Sequence, residues 1–280
     1  MTTTQASRGV SAETFRFAVE TMIFVLVAHA LSYLMHEYAH SVVAWALGWM
    51  KQPFGIDYGP ASVHNVIFLG DVNDNVDYAP IIASGHGVSA AVIALAGTFV
   101  GNGAVYFLLY ALLRTQAVKS RQHLASFVYW FSLMSAANVW SYVPIRALTT
   151  HADMAIAAKA LDVSSWVLFP FLIVPALYIV YHFFRRNFAG VYATISAGQS
   201  SRLAMLIALT AFWYFSWFGN DGVSGSYGLI SQIFSILSCY LLFPLAVIWL
   251  TSRYANGRTD ESAVEVHAVR LDGGRAMPPR

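Results

Sequence analysis

Long apolar runs recur along almost the whole chain, and they constrain the fold more than any other feature of the sequence. A helix needs about 20 mostly apolar residues to cross the hydrocarbon core of a bilayer. Charged residues make up only 11% of the chain, against about a quarter in ordinary soluble domains. The sequence therefore predicts an all-α membrane protein with about six transmembrane helices. The six stretches are residues 17–47, 88–113, 124–148, 166–184, 203–218 and 229–250.

The Lys and Arg residues fall in short clusters between the apolar runs, and their spacing predicts the orientation of the chain. Lys and Arg accumulate on the cytoplasmic side of membrane proteins. With six crossings all four clusters lie on one side, so we expect an integral, multi-pass protein with both termini in the cytoplasm, and a bacterial inner membrane as its location. The clusters are Arg8 with Arg16; Arg114, Lys119 and Arg121; Arg185, Arg186 and Arg202; and Arg253 with Arg258.

Composition divides the chain into three parts. Residues 1–16 form a polar N-terminal segment expected in the cytoplasm, residues 17–250 form one polytopic membrane domain, and residues 251–280 form a polar tail expected to be disordered. Within the membrane domain, residues 51–87 carry turn formers between short β-prone pieces such as SVHNVIFL. This pattern predicts a small β-hairpin or re-entrant element after the first helix, with an ordinary external loop as the alternative.

Charge and cysteine content argue against several classes of function. The formal net charge is +2, which is too small and too scattered for nucleic-acid binding. Cys239 is the only cysteine, so an internal disulfide and a cysteine-based metal site are both excluded. The expected partner at this point is the lipid bilayer, with no nucleic acid.

The first apolar run contains HEYAH, residues 36–40, which has the HExxH spacing of zinc hydrolases. Residues four apart on an α-helix share one face, so the imidazoles of His36 and His40 can bind one metal ion. In zinc hydrolases the intervening glutamate takes a proton from a water that attacks a carbonyl polarised by the metal. A charge near the bilayer centre costs about 2.5–3.5 kcal/mol and is retained mainly where it has a function. We therefore expect His36 and His40 to bind Zn²⁺ and Glu37 to be the catalytic base.

A catalytic zinc needs a third protein ligand and an open coordination position. The region after the third apolar run offers two candidates, Asp153 as the first choice and His151 as the second. The structural alternatives are a helix cap for Asp153 and an ordinary surface position for His151. Asn138, an amide inside an apolar run, is expected either to bind the substrate backbone or to bridge two helices.

With these residues the chain resembles a divergent member of the site-2 protease family of intramembrane zinc metalloproteases. The resemblance covers about residues 21–153. HEYAH matches the family's motif, and Asn138 and Asp153 resemble its later segment that ends in a zinc-binding aspartate. The stretch AGTFVGN, residues 96–102, is a loose counterpart of a Gly-Pro…Asn element in the intervening helix. The chain lacks Leu-Asp-Gly around the aspartate and has Thr98 where a proline is usual. Its loop charges also predict the opposite orientation of the motif-bearing helix.

The sequence as a whole predicts an intramembrane zinc metalloendopeptidase that cleaves membrane-embedded or membrane-proximal peptide segments. Two alternatives stay open. One is a membrane zinc hydrolase of a lipid-linked or small amphipathic substrate, and the other is a non-catalytic membrane scaffold whose histidines bind a metal. Glu37 favours catalysis, because a purely structural metal site does not need that carboxylate.

Overall fold

The computed structural model describes the backbone of residues 3–255 and the side chains from residue 12 onward, and helices are the only regular secondary structure in this part of the chain. Of the predicted disordered tail, residues 251–255 are helical and belong to the last helix of the described chain, and the rest lies outside the described residues. The predicted N-terminal segment is, from Thr3 on, the beginning of the first helix. The helices are α1 (Thr3–Ala46), α2 (Val63–Phe68), α3 (Tyr78–Ala83), α4 (Gly87–Leu113), α5 (Gln116–Lys119), α6 (Gln122–Trp140), α7 (Asp153–Ala160), α8 (Ser165–Ser196), α9 (Ser200–Ala211) and α10 (Leu229–Ala255).

Four of these helices are long and apolar enough to cross a membrane, which indicates a membrane protein. They are α1 from Ala12 onward, α4, α8 and α10. The other two predicted stretches, residues 124–148 and 203–218, are also largely helical. The first corresponds to α6, and the second to α9 and the wide turn Phe212–Trp217 that continues it. Neither belongs to the group of four, so six crossings stay a prediction.

Helix α6 lies in the core of the molecule, and it is less apolar than the four helices that could cross a membrane. Trp130, Leu133 and Met134 are completely buried, and so are the hydroxyl-bearing Ser132 and Ser135. A helix enclosed by protein can carry polar side chains that find partners in neighbouring helices. The side-chain amide of Asn187 in α8, for example, donates a hydrogen bond to Ser132 at 2.8 Å.

The segment between α1 and α4 is not the expected β-hairpin, because the described residues contain no β-strand. Its β-type pairing is limited to one isolated antiparallel bridge between Asp57 and Asn73. The β-prone stretch SVHNVIFL instead forms α2, capped by the Ser62 hydroxyl, which accepts a hydrogen bond from the Asn65 amide at 3.0 Å. The cap gives a backbone N–H of the first helical turn a hydrogen-bond partner. This stabilisation of the helix outweighs the preference of Val and Ile for strands. The re-entrant alternative stays a prediction.

Helix α4 approaches α1 closely at a wide π-helical turn, Gly97–Ala104. A Cβ atom on Gly101 would lie only 2.4 Å from the backbone oxygen of Met35. Glycine is therefore required for the two backbones to come this near. The contact brings the middle of α4 against the face of α1 that carries HEYAH.

Helix α6 ends at Trp140, and the wide turn that follows it, Ser141–Ile145, is broken at Val143, which has φ −138° and ψ 112° directly before Pro144. Proline lacks an amide hydrogen and disfavours a helical conformation in the residue before it, so the helix breaks here. Residues 146–152 are irregular, and α7 begins at Asp153. Ala157 of α7 packs on Ala91 and Ala94 of α4, which directs the start of α7 towards α1.

Candidate metal centre

The two histidines of HEYAH lie one turn apart on α1 and face the same point. Their Nε2 atoms are 3.1 Å apart and their ring centroids 4.8 Å apart. Both residues are only 1% exposed. The shared helix face expected from the spacing is therefore present, and it points into the protein.

Asp153 completes the group from α7. Its Oδ2 atom lies 3.1 Å from His36 Nε2 and 3.4 Å from His40 Nε2. The ligand atoms of the three residues all lie within 4.8 Å of one another, so they could hold a metal ion. Burial alone would raise the pKa of Asp153, but the charges and hydrogen bonds of the two imidazoles hold the pKa of this carboxyl below its ordinary value. Asp153 is thus an anionic oxygen donor opposite two nitrogen donors.

Both imidazoles are oriented by partners on their far side. His36 Nδ1 lies 2.7 Å from the side-chain oxygen of Asn102, and His40 Nδ1 lies 2.7 Å from the backbone oxygen of Ile93. The Asn102 amide nitrogen donates to the backbone oxygen and the hydroxyl of Ser32, at 3.1 and 3.0 Å. Its oxygen must then face His36 as an acceptor, and the Ile93 carbonyl can only accept, so Nδ1 carries a proton in both rings. With zinc bound, both imidazoles would be neutral and Nε2 would supply the lone pair to the metal.

Gly97 leaves the space between the imidazoles open. A Cβ atom at this position would lie 2.2 Å from His40 Nε2 and 2.6 Å from His36 Nε2. Only a residue without a side chain fits here, and the space that a methyl group would fill is bordered by the ligand atoms themselves. The donor set of two imidazoles and one carboxylate, together with this cradle, fits a zinc ion.

Glu37 is buried beside the first histidine, with 7% of its surface exposed. Its carboxylate makes no hydrogen bond or ion pair with any other described residue. A second carboxylate, that of Asp74, lies on the far side of His40, with Oδ2 4.0 Å from Nδ1. Asp74 is held by the hydroxyl of Tyr78, which donates to Oδ2 at 2.7 Å. Glu37 is therefore the carboxylate that is free to exchange protons near the three ligands.

The two remaining sequence candidates, His151 and Asn138, do not belong to the ligand group. His151 stacks on Tyr227, with ring centroids 4.7 Å apart and planes inclined by 21°. Asn138 lines a cavity of about 460 Å³, and its buried side-chain oxygen has no hydrogen-bond partner within the part of the chain that is described. Tyr142 joins the cavity to the ligand group, because it lines the cavity and stacks on His36 at 4.4 Å.

Two residues of the centre received no role from the sequence. Asn102 orients His36. Its sequence signals were an amide inside an apolar run, as for Asn138, and its place at the end of AGTFVGN in the resemblance. Gly97 was recognised only within the resemblance. No protein-family model, curated protein or solved structure matches this chain.

Proposed function

We propose that this protein is an intramembrane zinc metalloendopeptidase, with His36, His40 and Asp153 as the zinc ligands and Glu37 as the catalytic base. One observation carries the proposal. The histidines of an HExxH sequence, on a helix apolar enough to cross a membrane, converge with a carboxylate from α7 at ligand-atom distances of 3.1–3.4 Å. Such a buried His–His–Asp set beside a free glutamate is the donor set of a catalytic zinc site rather than a general feature of helix packing.

The residues of the chain divide the chemistry between them. Zinc, when bound, would polarise a substrate carbonyl and make an attacking water more acidic. Asn102 and the Ile93 carbonyl hold the imidazoles so that both Nε2 atoms face inward. Glu37 accepts the proton of the attacking water and then delivers it to the nitrogen of the leaving peptide. The buried surroundings strengthen these electrostatic interactions because water is largely kept out.

The cavity beside the ligand group supports a peptide as the substrate. A helical segment in lipid satisfies its own backbone hydrogen bonds, so it must unwind before its amides can react. The cavity offers polar groups to such an unwound backbone, among them Asn138, Arg146 and Asp221. We assign Asn138 to substrate binding because its unpaired oxygen could accept a hydrogen bond from a peptide N–H.

The proposed membrane arrangement has six crossings, with α6 and α9 as the third and fifth and with both termini in the cytoplasm. It rests on the Lys and Arg clusters and leaves residues 51–87 on the outside as a loop or re-entrant element. A cysteine placed at the exposed Asp71, in a Cys239→Ser background, should react with a membrane-impermeant maleimide from the outside only. Reaction from the cytoplasmic side only would contradict this orientation.

The test of the function uses the purified full-length chain in proteoliposomes with a single-span peptide substrate. The wild-type protein with zinc should cleave the peptide, whereas Glu37→Gln should retain zinc and lose cleavage by at least about 100-fold, as expected for removal of a general base. Glu20→Gln makes the same change elsewhere on α1 and should leave the rate unchanged. Hydrolysis of lipid-linked substrates instead of the peptide would favour the lipid-hydrolase alternative, and metal binding without hydrolysis of either class would favour a scaffold.

A further inference from the structure

The segment that carries Asp153 to the metal centre is held in a strained conformation. Residues 146–152 form no helix, and Ala152, directly before Asp153, has φ 73° and ψ 175°. This region of conformational space is populated almost only by glycine, so alanine stays there only where the surroundings hold it. The position of Asp153 therefore depends on what anchors the segment on either side of Ala152.

One anchor is helix α7, and the other is Asp221. Asp221 lies in the loop of residues 218–228, far from the metal ligands in sequence. Its Oδ2 atom accepts a hydrogen bond from the hydroxyl of Ser141 and another from Nη2 of Arg146 at 2.6 Å. One carboxylate thus binds both the end of α6 and the beginning of the irregular segment.

Aromatic contacts tie the same loop to both ends of the segment. The Arg146 guanidinium lies over the ring of Tyr142 at 4.8 Å and over the ring of Tyr227 at 5.2 Å. Tyr227 also stacks on His151, two residues before Asp153, and Tyr142 stacks on His36. The loop therefore contacts the segment near its beginning and near its end.

We propose that loop 218–228 positions the metal-binding segment, with Asp221 as the positioning residue that acts on Asp153 through Arg146. This inference rests on the proposed zinc centre. Without the Asp221 charge, the largely enclosed Arg146 guanidinium loses its ionic partner, and its most favourable response is to move towards water. The segment would then relax at Ala152, and the Asp153 carboxylate would leave its place opposite the imidazoles.

The test measures the zinc dissociation constant of the full-length chain in nanodiscs, by competition with a chromogenic chelator. Asp221→Asn keeps the shape of the side chain and removes its charge, and we expect it to weaken zinc binding about 10–100-fold, as outer partners of metal ligands do. Glu13→Gln is the matched control, because Glu13 pairs with Arg202 at 3.6 Å at a site remote from the metal ligands. This control should leave the dissociation constant unchanged.

A second pair of variants distinguishes positioning from general loss of structure. Tyr227→Phe keeps the ring that contacts Arg146 and His151 and should bind zinc like the wild type, whereas Tyr227→Ala should bind less tightly. Adding Ala152→Gly to Asp221→Asn should restore much of the zinc affinity, because glycine adopts the positive φ at position 152 without steric strain.

The possible results separate this inference from the function on which it rests. A wild-type chain that binds no zinc overturns both. Wild-type binding combined with an Asp221→Asn dissociation constant within twofold of the wild type overturns the positioning role alone. A loss in Asp221→Asn that Ala152→Gly does not reduce also overturns it, because the loss would then come from elsewhere in the structure.

Discussion

Replacing Gly97 with alanine is a sharp perturbation of the candidate metal centre, because it adds one methyl group and removes no ligand. The new Cβ atom would lie 2.2 Å from His40 Nε2 and 2.6 Å from His36 Nε2. Both distances are far below the 3.4 Å of ordinary van der Waals contact, and the shorter one is close to the roughly 2.0–2.1 Å length of a zinc–nitrogen bond. A methyl group and a metal ion could not share this space.

The imidazoles cannot easily give way, since each is fixed by a 2.7 Å hydrogen bond at Nδ1, to Asn102 and to the Ile93 carbonyl. Moving one ring would break a buried hydrogen bond at about 1–3 kcal/mol, and overpacking adds about 1–3 kcal/mol. The lower ends of these ranges together correspond to at least about a 30-fold change. We expect Gly97→Ala to weaken zinc binding by more than this factor, because the ligand geometry is lost as well.

The assay is chelator competition on the purified chain, with Gly103→Ala as the matched control. Gly103 lies in the same π-helical turn and is also buried, but its Cβ would meet its nearest neighbours at 3.5 and 3.8 Å. Gly103→Ala should therefore bind zinc like the wild type. Equal zinc affinity in both alanine variants would refute the assignment of the metal to the space beside Gly97.

Three further predictions concern single side chains. Asn102→Leu removes the acceptor of His36 Nδ1 and should weaken zinc binding about 10–100-fold in the same competition assay; unchanged affinity would contradict its orienting role. Asp153→Ala should weaken binding by more than that, and His151→Ala by less than threefold, since His151 only stacks on Tyr227; the reverse order would make Asp153 an outer partner at most. Ala152→Gly should raise the free energy of unfolding by about 1 kcal/mol in a denaturant titration, since relief of about 1–3 kcal/mol of strain exceeds the entropic cost of glycine; a lower free energy would refute the strain.

The parts of the structure that depend on local sequence could be predicted. His36 and His40 share a face because helical periodicity places them there, and long apolar runs form helices wherever lipid or protein surrounds them. The prediction of a β-hairpin within residues 51–87 was wrong because one short-range hydrogen bond, from the Asn65 backbone amide to the Ser62 hydroxyl, stabilises α2. That hydrogen bond is local, but its weight against β propensity cannot be judged from composition.

The roles that depend on packing between distant helices could not be predicted. Asn102 faces His36 only because Gly101 brings α4 onto α1, and an amide in an apolar run does not reveal which helix it will meet. Asp221 lies 80 residues from Ser141 in the sequence, in a loop without any motif. Asp153 was the first choice among two candidates after the third apolar run, and the resemblance favoured it. Its position opposite the imidazoles depends on the irregular segment before it, whose path no periodicity describes.

The most direct test of the metal centre is the number of zinc ions bound per chain. It is measured by inductively coupled plasma mass spectrometry on the purified protein after removal of loosely bound metal. We expect one zinc per wild-type chain, close to none in His36→Ala and His40→Ala, and one in Glu37→Gln, because the glutamate is not a ligand. A wild-type zinc content in both histidine variants would contradict the account, because the metal would then be bound by other residues.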